Sequence, residues 1–119
     1  MSYDIQIVDR VTRETIEFDK RHKLHGGTYA LCGTRKAWLN VTYNYAPHFK
    51  RVFGPLGIRS LYGLPARFTI PVLEEAIEKL DTDVDLDDYW NPTEGNARRA
   101  LENLLTLARL APDGVWEGD

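Results

Sequence analysis

The chain has one cysteine, no long apolar run, and no aspartate or glutamate between Lys20 and Arg67. Each scarcity excludes something. With Cys32 alone, no intramolecular disulfide and no C-x-x-C metal knuckle can form, so a reducing, cytoplasmic setting is the default expectation. No segment approaches the roughly 20 apolar residues that span a bilayer, and Met1-Ser2-Tyr3-Asp4 lacks the basic and apolar regions of a secretory signal. Neither G-x-x-x-x-G-K-[ST] nor G-x-G-x-x-G occurs, and His22-x-x-His25 lacks the H-E-x-x-H spacing of a zinc protease. No cofactor is expected, and no internal repeat is visible.

What remains is ordinary globular material. The 119 residues suit one domain, residues 1–119. Apolar residues at 43% and charged residues at 28% lie near globular averages and argue against disorder.

The net charge of −3 hides an uneven distribution. Up to Asp19 there are two basic and five acidic side chains; from Lys20 to Arg67 there are nine basic and none acidic; from Phe68 onward, four basic and thirteen acidic. The three blocks carry −3, +9 and −9. The central block also holds all three histidines and Tyr29, Trp38, Tyr43, Tyr45, Phe49, Phe53 and Tyr62. A segment free of carboxylates can keep one face positive and concentrate anions near it. The plainer alternative is that it packs against the acidic C-terminal third.

Periodicity predicts an α+β fold. Tyr3, Ile5 and Ile7 alternate with Asp4, Gln6 and Val8, and Thr15 to Phe18 alternates again; together they read as a β-hairpin, with Arg13 where such a turn prefers Gly. His25-Gly26-Gly27-Thr28-Tyr29 reads as a turn whose glycines also permit close approach to the main chain. The clearest strand is Lys36 to Tyr45, with Ala37, Leu39, Val41, Tyr43 and Tyr45 on one face and Trp38, Asn40, Thr42 and Asn44 on the other. A short helix from Pro47 to Phe53 follows. A second starts at Thr69 as N-cap, with an apolar stripe of Val72, Leu73, Ala76, Ile77 and Leu80. The last runs from Thr93 to about Leu110 and is apolar enough to be the core helix or a dimer face. Val115-Trp116 folds back after the Pro112-Asp113-Gly114 turn. The simplest assembly is a small antiparallel sheet of three or four strands covered by two C-terminal helices.

Several groups could carry chemistry. Asparagine is depleted in strands, so two of them on one strand face need a reason. Asn40, Thr42 and Asn44 could read a base edge, a ribose or a phosphate, or could satisfy loop backbone. His25, His48, Lys50, Arg51, Arg59 and Arg67 could hold phosphate, with Tyr43 or Tyr45 stacking on a base; a solvated basic face is the plainer reading. Asn91 to Asn96 could attract an anion at a helix start, but Glu94 already complements the dipole there. Asp81 to Asp85 opens like a calcium loop and then fails, with Leu86 in the glycine position and Pro92 in place of the bidentate glutamate. Cys32 with His25 or His48 could form a nucleophile–base pair, although a small buried cysteine is the commoner case.

The stretch Leu39-Asn40-Val41-Thr42-Tyr43-Asn44 resembles the N-[IV]-T-[HY]-N segment of small proteins of bacteriophages and prophage-bearing bacteria. The similarity extends in pattern through Ile70–Leu80 and Tyr89–Ala97 to Pro112–Trp116, and leaves out the N-terminal segment. It implies a phage-type accessory protein acting in the host cytoplasm, for which capture of a signalling nucleotide or of a host protein are the analogies at hand.

The leading expectation is therefore a non-catalytic protein that binds a small anionic ligand, most plausibly a nucleotide. Its site would comprise Asn40, Thr42, Tyr43, Asn44, Tyr45, His48, Lys50, Arg51 and Arg59. The rivals are a protein–protein or homo-oligomeric module using the last helix, and a phosphoester hydrolase, which would need clustered carboxylates and usually a metal. No membrane association is expected, and the negative total charge points away from non-specific nucleic-acid binding.

Overall fold

The computed structural model describes residues 1–27 and 31–119. Of the His25–Tyr29 segment, Thr28 and Tyr29 therefore lie outside the described residues. Its elements are β1 (Ser2–Val8), β2 (Glu17–His22), β3 (Thr34–Lys36), β4 (Trp38–Thr42), a 3-10 turn (Tyr43–Tyr45), α1 (Ala46–Phe53), a second 3-10 segment (Gly57–Leu61), α2 (Ala66–Glu78), α3 (Glu94–Leu110) and β5 (Val115–Gly118). The predicted α+β class is correct: a three-stranded antiparallel sheet ordered β4-β1-β5, a separate β2-β3 ribbon, and helices.

Register explains the core. Tyr3 faces Val41, Ile5 faces Leu39 and Ile7 faces Trp116 across β1, so one pleat surface is continuously apolar. All six side chains are buried and cluster with Phe49, Ile58, Leu73, Leu101 and Leu104. At roughly 1.5–3 kcal/mol per fully buried large aliphatic or aromatic side chain, this surface dominates stability. Helix α3 is the central core helix: its apolar stripe, from Ala97 through Leu101, Leu104 and Leu105 to Ala108, is buried. Inside α2, the Thr69 hydroxyl donates to the Ala66 carbonyl at 2.7 Å and accepts from the Trp116 indole at 2.7 Å, tying β5 to the helix.

Four expectations need correction. The turn after β1 forms, with Arg13 at φ 65 and the Asp9 carboxylate accepting from the Val11 and Thr12 amides. It does not lead into a hairpin with β1. Only Val8 and Thr15 bridge, and β2 pairs with β3 instead. The reason is a backbone junction: Ile7 N–H bonds Ala37 C=O, Ala37 N–H bonds Ile16 C=O, and Ile16 N–H bonds Ile7 C=O. There the ribbon leaves the sheet, which also divides the predicted 36–45 strand at Ala37. Its other end stops at Thr42, because the Thr42 hydroxyl accepts from Asn44 N–H at 3.2 Å and starts a 3-10 turn. Tyr43 and Tyr45 consequently leave the strand face. Third, α2 begins at Ala66 behind Pro65, so Thr69 is an interior residue instead of the N-cap, and Val72 is exposed. Fourth, Cys32 is exposed.

Candidate functional site

The residues that the sequence groups together separate into two sets. The first is a clasp. Asn40 is 5% exposed; its amide donates to Ser2 Oγ at 2.8 Å and to Asp4 Oδ1, its cross-strand partner, at 3.0 Å. Its carbonyl accepts from Gly27 N–H at 3.3 Å and from the Tyr89 hydroxyl at 3.4 Å. That hydroxyl also accepts from Thr42 N–H at 3.0 Å. The outer edge of β4 is thereby covered by a glycine backbone and a phenol, which removes an exposed pairing edge. Here the glycine pair has its reason: a Cβ on Gly26 would stand 2.0 Å from the Asn40 carbonyl oxygen, and one on Gly27 would meet Trp90 at 2.7 Å. The close approach that these glycines permit is made by the protein's own strand.

The remaining clasp residues grip the same loop. Asn44 is exposed and its amide donates to Trp90 C=O at 2.9 Å. Tyr45 is fully buried, its ring 5.5 Å from that of Tyr89, and its hydroxyl donates to Tyr89 C=O. Burial pushes both phenols above their ordinary pKa, so each remains a neutral hydrogen-bonding group. His48 Nε2 lies 2.7 Å from Pro92 C=O, an acceptor only, so that nitrogen carries the proton. Arg51 is ion-paired to Glu94 at 2.6 Å.

The gripped loop is itself bonded throughout. Asn96, 4% exposed, donates to the carbonyls of Asp88 (2.9 Å) and Asn91 (2.8 Å) and accepts from Asp85 N–H at 2.8 Å. The Asn91 amide foremost, helped by the Asp87 and Asp88 backbone, holds the Asp85 carboxyl below its usual pKa. The start of α3 is occupied from within: Asp83 accepts from Gly95 N–H at 2.9 Å and Thr93 from Asn96 N–H at 3.0 Å. A ligand anion has no free amides to meet at those two positions. Among the described residues, no group of three or more His, Cys, Asp and Glu is placed to hold a metal ion.

The second set is a hollow of about 330 Å³ lined by Tyr3, Tyr43, Ala46, Lys50, Pro55, Leu56 and Arg59. Among the described residues, no carboxylate side chain lines it. The Arg59 guanidinium sits 5.1 Å from the Tyr3 ring centroid and 5.6 Å from that of Tyr43, held by cation–π attraction. It donates to the Tyr43 hydroxyl at 3.3 Å and to the Asp119 main-chain oxygen at 2.9 Å. Lys50 makes no ion pair with any described residue. Burial pushes the Tyr3 phenol up despite Arg59. Close by, Tyr62 has a buried hydroxyl without a hydrogen-bond partner among the described residues, and burial followed by the Asp119 charge raises its pKa. Tyr3 was not among the predicted site residues, and Tyr62 was marked only as an aromatic beside the basic group. Tyr3 reads as a core residue by alternation, and only the folded register shows its ring facing Arg59.

Thus Tyr43, Lys50 and Arg59 converge, whereas Asn40, Thr42, Asn44, Tyr45, His48 and Arg51 serve the clasp. Arg67 lies elsewhere, paired with Asp113. A wider trough of about 880 Å³ beside the Asp9–Glu14 turn is lined by Asp9, Glu14 and Glu17 as well as Arg13 and Lys36, a mixed surface ill suited to an anion. No family model, curated protein or solved structure matches the chain.

Proposed function

We propose that the protein is a non-catalytic binder of a small anionic ligand, seated in the Tyr43–Lys50–Arg59 hollow. The supporting observation is convergence: two cations without carboxylate side-chain partners among the described residues, and an accessible phenol ring, border one concavity free of acidic side chains. Its volume, about 330 Å³, stands at the lower end of the range for small-molecule sites, which suits a mononucleotide better than a larger dinucleotide. Arg59 and Lys50 supply charge-assisted hydrogen bonds to phosphate, and Leu56, Pro55 and Tyr43 supply apolar contact. Asn40, Thr42 and Asn44 contribute by fixing the loop and the 3-10 turn that aims Tyr43. The setting implied by the resemblance of Asn40–Asn44, capture of a host signalling nucleotide by a phage-type protein, is one form of this reading.

Calorimetry with mono-, di- and cyclic nucleotides and inorganic phosphate tests it. Binding of a mononucleotide tighter than about millimolar is expected, weakened about 10- to 100-fold by Arg59→Gln, as removal of a hydrogen bond to a charged group implies. No binding across the panel would retire the reading.

A further inference from the structure

The β2-β3 ribbon carries a separate positive surface that the hollow does not use. Between Glu17 and Lys36 stand Lys20, Arg21, Lys23, Arg35 and Lys36 against Glu17 and Asp19, a local surplus of +3 that is unchanged when Glu17 and Lys36, which border the mixed trough, are left out. All five cations are exposed. Six Lys or Arg side chains form ion pairs among the described residues (Arg13, Arg51, Arg67, Lys79, Arg98 and Arg109), and none belongs to the ribbon. Arg35 is oriented across it, its Nε donating to Phe18 C=O at 2.7 Å while its terminal nitrogens bond no described residue. The ribbon has two strands, and among the described residues no third strand pairs with it. Its pairing shifts register between Glu17 and His22, and Asp19, Lys20 and Arg21 are exposed in succession there.

We infer that this ribbon docks on the sugar–phosphate backbone of a nucleic acid without reading its sequence. Phosphate contacts are made by Lys and Arg side chains, and a two-stranded ribbon is narrow enough to follow a major groove. An acidic protein surface fits less well. Protein interfaces rely on buried apolar or aromatic anchors at their centre, and Leu31 is the one large apolar side chain strongly exposed in this region among the described residues. Total charge conceals the surface, because the −9 of the C-terminal block outweighs it in the sum. Binding is consequently expected to be weak and steeply salt-dependent.

Fluorescence anisotropy of a labelled 20-base-pair duplex, titrated with the full chain between 20 and 200 mM KCl, tests this. Neutralising three to five phosphates gives a log–log salt slope between about −3 and −4.5. The variant Lys20→Ala/Arg21→Ala/Lys23→Ala should bind at least about tenfold more weakly, with the slope reduced by up to about three, in proportion to the phosphates no longer neutralised. The charge-keeping Lys20→Arg/Lys23→Arg variant should bind like wild type, and Lys50→Gln should leave duplex binding unchanged, which separates this surface from the hollow. A flat salt response, no binding at 20 mM KCl, or an alanine variant that binds as wild type with an unaltered thermal midpoint overturns the proposal. Equal affinity for poly-glutamate as competitor also overturns it, in favour of an acidic protein partner.

Discussion

The clasp and the hollow are built from the same short stretch of chain, yet their polar groups have opposite fates. From Asn40 to His48 nearly every donor meets a carbonyl, hydroxyl or carboxylate of the protein itself, on β1 or in the 85–93 loop. A few residues on, among the described residues, Lys50 has no ion pair and Arg59 meets the Tyr3 and Tyr43 rings, the Tyr43 hydroxyl and a main-chain oxygen, with no ion pair. The difference lies in what covers each region. A loop rich in backbone carbonyls lies over β4, and buried polar groups must be satisfied by whatever covers them. Around Arg59 and Lys50 the lining is aromatic and aliphatic, and among the described residues no carboxylate side chain belongs to it. Polar residues in an unusual place thus have two explanations, and only the partner distinguishes them.

The comparison breaks first at Asn96. Asn96→Ala leaves the Asp85 amide without its acceptor and takes one of two donors from the Asp88 and Asn91 carbonyls, which keep the Asn91 and Thr93 N–H groups, so urea unfolding should show stability reduced by about 2–3 kcal/mol. Next, Gly26→Ala drives a methyl into the Asn40 carbonyl and must lift the 23–27 segment from the strand edge. A reduction of about 2 kcal/mol in the same assay is expected. Acid sharpens the contrast further. The folded Asp85 pKa is depressed, so the stability it contributes is present above the ordinary carboxylate value and disappears as pH falls through the folded value. Below about pH 4, amide protection in the 85–91 segment, relative to intrinsic exchange at the same pH, should fall, and Asp85→Asn should flatten that dependence. The smallest effect belongs to Arg51→Gln. Its pair with Glu94 is half-exposed, so stability should drop by less than about 1 kcal/mol and nucleotide affinity should not move.

Much of the fold was legible because periodicity reports burial. The alternation of Tyr3, Ile5 and Ile7, the α3 stripe and the return of Val115-Trp116 each follow from which faces meet the core. Partnering was not legible. Nothing in the local pattern says that β1 pairs with β4 and β5 instead of β2, because that depends on the three-way backbone junction at Ile7, Ile16 and Ala37. Likewise a period of two carries Tyr43 and Tyr45 along the strand, while one hydroxyl, that of Thr42, turns the chain and sends them to different places. The candidate site was half legible for the same reason. Residue chemistry marked Asn40, Thr42 and Asn44 as unusual for a strand, and it marked Lys50 and Arg59 as cations. It could not reveal that Ser2 and Asp4 take the Asn40 amide, or that Tyr89 and Trp90, far along the chain, meet Thr42 and Asn44.

An amide-resolved NMR titration with adenosine monophosphate probes the division most directly. The account predicts shift changes centred on Tyr43, Lys50 and Arg59, with Asn40, Thr42 and Tyr89 still. Changes centred on Asn40–Asn44 and the Tyr89–Trp90 loop, or a spectrum unmoved at millimolar nucleotide, would contradict it.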